Sequence, residues 1–249
     1  MSVESFQSQL KQLRLATASL ELRDVLKNHS KAASLSWAVD LFQREIDQRK
    51  ENGLQKRIQR ANFKLKKSFE QFDFEFNPKI NKEKIEELMT LEFVKEKGIV
   101  LLLGQPGTGK THLAEAIGMR CIMQGNKVIC TTLKELIFLV EKGLARNEVG
   151  DIFKKILSNN VWILDDWGTV SLPRRAAEEI FDLLDRRRMS TALILTSNRD
   201  VKEWPEVFPE PVIATAAIDR IFDRANVEYF EGKSYRVEGK KEKVVTKKK

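Results

Sequence analysis

Apolar positions change their period partway along the chain. Over roughly the first 70 residues Leu10, Leu13, Leu20, Leu26, Trp37, Leu41 and Phe42 recur at helical spacing, and no proline precedes Pro78. Ser34 to Trp37 offers an N-cap for the next helix. Phe72, Phe74 and Phe76 then alternate with Asp73 and Glu75 and run into Asn77-Pro78. That pattern predicts an extended linker laying alternate aromatics on the following domain. Beyond it, short apolar runs alternate with helical stretches. The strand candidates are Gly98–Leu103, Lys127–Thr132, Val161–Leu164 and Ala192–Thr196; the helical ones are Thr111–Gln124, Leu133–Lys142 and Arg174–Met189. Such alternation predicts an α/β fold with a parallel sheet covered on both faces. Glu231-Gly232-Lys233-Ser234 reads as a turn between Val227–Phe230 and Tyr235–Val237. From Gly239 onward the chain holds six lysines and little that packs, so a disordered basic tail is expected. The predicted organisation is a small all-helical domain over 1–70, a linker with an entry helix over 71–97, an α/β domain over 98–238 and a tail over 239–249.

The first α/β strand runs straight into Gly104-Gln105-Pro106-Gly107-Thr108-Gly109-Lys110-Thr111, a full G-x-x-x-x-G-K-[ST] phosphate loop. Its glycines let backbone N–H groups converge on phosphate oxygens, and the helix that opens at Lys110 adds its positive end. Lys110 is expected to reach the β- and γ-phosphates of ATP and the Thr111 hydroxyl to coordinate Mg²⁺. His112 follows on the opening turn as a packing or supporting residue at the cofactor site. Val161 to Leu164 delivers Asp165 and Asp166: the first is placed to hold Mg²⁺, the second to polarise the attacking water. Asp166 is one methylene shorter than the glutamate usual there. Leu193 to Ser197 delivers Asn198, whose amide suits a sensor of the γ-phosphate. Asn198-Arg199-Asp200 does not complete a guanine-reading N-K-x-D motif, which favours ATP over GTP. Arg220 and Arg224, four apart, are read onto one helical face. Arg236 follows Ser234-Tyr235. Each arginine is either a transition-state cation supplied by a neighbouring subunit or half of a surface ion pair.

Composition narrows the class. The 249 residues are 42% hydrophobic and 32% charged, which describes a globular protein. The longest purely apolar runs, Ile99 to Leu103 and the equally long Leu136 to Val140, are far too short to span a bilayer, and the N-terminus shows no basic and apolar leader pattern. Neither cysteine, Cys121 or Cys130, belongs to a C-x-x-C pair, which fits a reduced cytoplasm and no zinc or disulfide framework. The histidines, His29 and His112, form no ligand cluster. The net charge of +8 is unevenly spread: Arg49 to Lys67 holds eight basic residues against one acid, Glu51. Read as a helix, Leu54, Ile58, Ala61 and Leu65 form an apolar stripe. Lys56, Arg60, Lys64 and Lys67 form a basic one about 200° around the axis. With Arg49 and Arg57, this surface is a candidate for duplex DNA phosphates, contacted without sequence preference and weakened by salt. A solvated basic face is the alternative.

A series of short motifs runs in order along nearly the whole chain. It comprises Gly104–His112 with Leu113-Ala114, then Asp165-Asp166, Ser197-Asn198-Arg199, Glu203-Trp204, Val207-Phe208, Pro211-Val212, Asp219-Arg220 and Ser234-Tyr235-Arg236. The series resembles the IstB family, transposition helper ATPases related to the DnaC helicase loader. The resemblance implies an AAA+ core with sheet order 5-1-4-3-2 behind a helical N-terminal domain that binds DNA. It implies Arg220 as an arginine finger acting in trans, with the cluster Arg186-Arg187-Arg188 as a competing source, and Arg236 as a second sensor. It further implies an ATP-dependent homo-oligomer on duplex DNA, associated with the bacterial nucleoid, that recruits and stimulates a transposase of the IstA type. A helicase loader that binds single-stranded DNA would share the same core. A small-molecule P-loop kinase would need an acceptor pocket and a lid, and would have no use for Arg220 in trans.

Overall fold

The computed structural model describes residues 3–28 and 36–238. His29, Ser34, the Trp37 side chain and the tail from Gly239 lie outside the described residues. The chain divides into two compact units, residues 1–56 and 57–249.

The first unit contains α1 (Val3–Gln12), α2 (Ala16–Asn28) and the start of α3 (Ser36–Ala61), which continues into the second. Arg14, with φ of 58°, breaks the chain between α1 and α2. That break resets the helical phase. Leu13, Leu20 and Phe42, expected to pack, are exposed, and the core is Leu10, Ala18, Leu22, Val25 and Leu41. Ala18, Leu22 and Val25 sit at i, i+4 and i+7 of α2. Buried Glu45 accepts the Ala18 N–H at 2.9 Å and pairs with Arg49 at 2.8 Å. Its carboxylate answers an orphan donor at the start of α2.

The second unit carries the chain through a short 3-10 turn (Phe69–Gln71), α4 (Lys82–Leu88) and α5 (Glu92–Lys95) into a five-stranded sheet. Strands β1 (Ile99–Gly104), β2 (Val128–Thr132), β3 (Val161–Trp167), β4 (Ala192–Ser197) and β5 (Ala225–Phe230) alternate with helices. These are α6 (Lys110–Met123), α7 (Leu133–Arg146), α8 (Val149–Leu157), α9 (Arg174–Arg187) and α10 (Pro211–Phe222). All strand pairings are parallel and the order is β5-β1-β4-β3-β2, as the resemblance implied. The side chains of β1 to β4 are buried almost throughout, as in a sheet covered on both faces.

Local chemistry fixes the element ends. Thr132 and Glu135 form a reciprocal cap that starts α7, and Pro211 opens α10. The short amphipathic α8 escaped the sequence reading; Phe153 and Ile156 are its buried anchors. The motifs Glu203-Trp204 and Val207-Phe208 prove to be packing: Trp204, Val207 and Phe208 are buried beside Trp167. Trp162 is core as expected, its Nε1–H donating to Thr131 at 2.9 Å. Residues 235–238 form a helical turn. One expectation fails near the C-terminus. Arg224 lies beyond the end of α10 in a left-handed conformation, φ 56°, so it does not share a helical face with Arg220. Among the described residues no helix is long and apolar enough to cross a membrane.

Candidate functional site

The carboxyl ends of β1, β3 and β4 open into one cavity of about 440 Å³. Parallel strands deliver their terminal loops to a common edge, where such sheets hold ligands. The phosphate loop forms its floor. Gly107 (φ 81°) and Gly109 (φ 105°) adopt backbone that side chains resist, and a Cβ on Gly109 would fall 2.4 Å from the Phe72 ring. Lys110 turns back on its own loop, donating to the carbonyls of Gly104 at 2.7 Å and Gln105 at 2.6 Å. Burial pulls its ammonium down to about 8, against the raising influence of Asp166 and Asp165.

Asp165 is buried, and its Oδ1 accepts two hydroxyls, Thr111 at 2.9 Å and Thr196 at 2.6 Å. Two adjacent strand residues ordinarily face opposite sides of a sheet. Here the β3–β4 register shifts between Leu164 and Trp167, and Asp166 has φ of 58°. This bulge lets both carboxylates line the same cavity. The Asp166 N–H donates to Thr196 at 3.1 Å and its carboxylate accepts the Asn198 amide at 3.3 Å. Burial, then the neighbouring Asp165, raises the Asp166 carboxyl above its ordinary value. Arg236 also lines the cavity, brought there by the Tyr235 N–H donating to the Gly107 carbonyl at 2.9 Å.

The opposite wall comes from the stretch read as the continuation of a basic helix. That reading is corrected: α3 stops at Ala61, where Asn62 turns left-handed with φ of 59°. Buried Glu115 of α6 then accepts three consecutive backbone N–H groups, from Lys64 at 2.7 Å, Leu65 at 2.8 Å and Lys66 at 2.9 Å. Three charge-assisted hydrogen bonds to one buried carboxylate replace the i−4 carbonyl partners these donors would have in a continued helix, and they satisfy the Glu115 charge as well. Lys64 and Lys67 therefore line the cavity, while Lys56, Arg57 and Arg60 stay on the helix. One α6 turn before Glu115, His112 meets the Ser68 carbonyl at 2.8 Å, and burial lowers its basicity. Of the linker aromatics, Phe72 lies edge-on to His112 and Phe76 edge-on to Tyr235, but the segment is not extended: residues 74–76 form a turn in which Asp73 accepts the N–H groups of Glu75 and Phe76, and Phe74 packs on Phe69 and Phe72.

The remaining arginines lie elsewhere. Arg220 is not among the cavity residues; its Nε donates to Asp185 at 2.8 Å. Arg186 pairs with Asp182, Arg188 with Asp223, and Arg187 is buried, donating to the Lys97 carbonyl. Arg49 is engaged by Glu45 and the Arg14 carbonyl. Sequence reasoning did not find Thr196, Glu115 or the nucleotide-side placement of Lys64. Thr196 ends an apolar strand as an ordinary polar residue, and Glu115 is one more acid on a helix. Their signal exists only as partners in space.

Comparison with known proteins agrees with this geometry. A family model described as "IstB-like ATP binding protein" matches residues 7–243. The ATP-binding protein of insertion sequence IS21 from Pseudomonas aeruginosa is 36% identical over 200 residues, 80% of this chain and 76% of that protein. Its counterpart in insertion sequence IS232 of Bacillus thuringiensis is 29% identical over 95% of both chains. Among solved structures, AMPPCP-bound DnaA from Aquifex aeolicus aligns with a TM-score of 0.57 at 20% identity, over 74% of this chain and 56% of that one. DnaI aligns at 0.55 and 22% identity, over 68% of this chain and 89% of its own. At such identities the structures speak for the AAA+ fold alone.

Proposed function

The chain belongs to the IstB-like ATP-binding proteins of insertion sequences, and from that premise we propose that it hydrolyses ATP, assembles on duplex DNA and assists a transposase of the IstA type. The observation that carries the enzymatic part is the convergence of Lys110, Thr111, Asp165, Asp166, Asn198 and Arg236 on one cavity. Gly104 to Thr111 cradles the triphosphate, with Lys110 swinging from its carbonyl partners to the phosphates. The site suits Mg²⁺: the Thr111 hydroxyl and the Asp165 carboxylate already meet at 2.9 Å, and hard oxygen donors of this kind are what the ion prefers. Bound there, Mg²⁺ would offset charge on the β- and γ-phosphate oxygens. Asp166 orients and deprotonates the attacking water, and Asn198, which touches it, positions that water against the γ-phosphate. Arg236 adds positive charge from the same subunit.

Arg220 lies outside its own subunit's cavity and is 40% exposed, which leaves it available to a neighbour as an arginine finger. Duplex binding rests on family membership and on the exposed basic side chains Lys56 and Arg60 of α3, with Arg49 and Arg57 beside them in sequence. Transposase assistance rests on the insertion-sequence relatives alone.

Electron microscopy with linear duplex DNA in ATP, ADP or no nucleotide tests the assembly. ATP-dependent oligomers on duplex are expected. Persistent monomers, or assembly on single strands only, would move the reading to a helicase loader. Mixing Arg220→Ala with Lys110→Ala subunits tests the finger: each is inactive alone, and partial turnover returns on mixing. No recovery would remove Arg220 from the role.

A further inference from the structure

Lys64 is the one residue of the basic stretch 49–67 whose cation reaches an acid of the nucleotide cavity. Its Nζ stands 3.6 Å from Asp165 Oδ2, and its side chain is 41% exposed against 3% for the carboxylate. The two Asp165 oxygens are used differently. Oδ1 takes the Thr111 and Thr196 hydroxyls, whereas Oδ2 faces Lys64. Lys110 is turned onto the Gly104 and Gln105 carbonyls, and Lys67, which also lines the cavity, makes no ion pair with Asp165. A buried carboxylate is costly without a compensating charge, and here the nearest cation is Lys64. Its position is built rather than incidental. Asn62 and Lys66 hold left-handed backbone on either side, and Glu115 fixes the N–H of Lys64 itself at 2.7 Å.

We propose that Lys64 is the counter-ion of Asp165 in the nucleotide-free protein, and that a divalent cation entering with nucleotide must displace it. Cation and lysine then compete for one carboxylate, so loading the site with metal frees the Lys64 side chain from the cavity. This assigns Lys64 to the nucleotide site and not to a DNA phosphate. The inference rests on Asp165 being the metal carboxylate of the proposed ATPase.

The test uses the full chain and its Lys64→Met, Lys64→Gln and Lys64→Arg variants, each checked for folding by thermal melting. Mg²⁺ is titrated at a fixed concentration of a fluorescent ATP analogue. Removing the competitor should lower the half-saturating Mg²⁺ concentration by about three- to tenfold in Lys64→Met and Lys64→Gln, the range of a partly buried ion pair. Lys64→Arg should stay within about twofold of the parent. An unchanged or raised Mg²⁺ midpoint in both neutral variants overturns the proposal, a raised one making Lys64 a phosphate ligand instead. Duplex affinity without nucleotide should also be unaffected in Lys64→Met; a clear loss there would return Lys64 to the DNA surface. Failure of the parent chain to bind nucleotide would sink the ATPase reading itself, and is distinguishable because the parent alone reveals it.

Discussion

The nucleotide cavity has two walls of different origin. One is made at the ends of β1, β3 and β4: Asp165 and Asp166 lie at the end of β3, Asn198 follows β4, and Lys110 and Thr111 open α6 just past the phosphate loop that follows β1. The other is made by residues 62–77, which have no regular structure beyond one 3-10 turn and reach the cavity because α6 holds them. The sheet wall presents the groups to which the proposed ATP chemistry is assigned: Lys110, Thr111, Asp165, Asp166 and Asn198. The linker wall presents cations and aromatics, Lys64, Lys67, Phe72 and Phe76. A strand end is positioned by many ladder bonds on both sides, so its chemistry is fixed by the core. The linker wall is positioned by a few side chains, chiefly Glu115 and His112, so it is open to coupling with what binds. The same helix, α6, starts at the phosphate loop and carries both of those side chains.

Four substitutions sharpen that contrast. Removing the Lys110 ammonium should cost the most, because no other group on the sheet wall replaces it. Lys110→Ala is expected to weaken ATP binding by at least about a hundredfold in a fluorescent-nucleotide titration. Near-parental affinity would show that the linker wall dominates phosphate binding. Asp166→Asn should leave nucleotide affinity within a few-fold while slowing phosphate release by about a hundredfold, the scale of a lost general base. Hydrolysis at the parental rate would clear Asp166 of that role.

On the linker wall the readout shifts from chemistry to stability. Glu115→Ala strands three backbone donors, a loss of about 3 kcal/mol. For a chain of this size that lowers the melting temperature by about 6–12 °C. A shift under 2 °C would mean that water replaces the carboxylate and that the wall is not clamped. Lys66→Gly should have the smallest effect, and a favourable one. The left-handed backbone at Lys66, φ 51°, costs a side-chain-bearing residue about 1 kcal/mol that glycine avoids. Glycine's greater unfolded-state entropy offsets part of this, so a rise of about 1–3 °C is expected. A fall would show that the Lys66 side chain contributes more than its strained backbone costs.

Legibility differed between the walls for a physical reason. Gly104 to Thr111 is one contiguous loop whose backbone geometry demands glycines at set places, so its residues announce it. Asp165 and Asn198 were found because a buried strand is visible as an apolar run and its terminal polar residue stands out. Arg236 was placed by family resemblance, and the cavity includes it. The basic run Arg49 to Lys67 misled, because its apolar spacing continues in phase past Ala61 although the helix does not. Nothing in residues 62–66 announces that stop: Asn62 is a modest cap signal and Lys66 none at all. The partner that ends the helix is Glu115, about fifty positions away.

By itself the sequence determined the alternation of strands and helices and the phosphate loop, since each is encoded by neighbours along the chain. Resemblance across its motifs supplied the strand order. Only the tertiary structure decided that Asp166 shares a cavity with Asp165 across a bulge. It also decided that Arg187 is buried and that Lys64 turns from a helix face to the Asp165 carboxylate. Those outcomes depend on which backbone donors and buried charges find partners, and such partners meet only when the chain is folded.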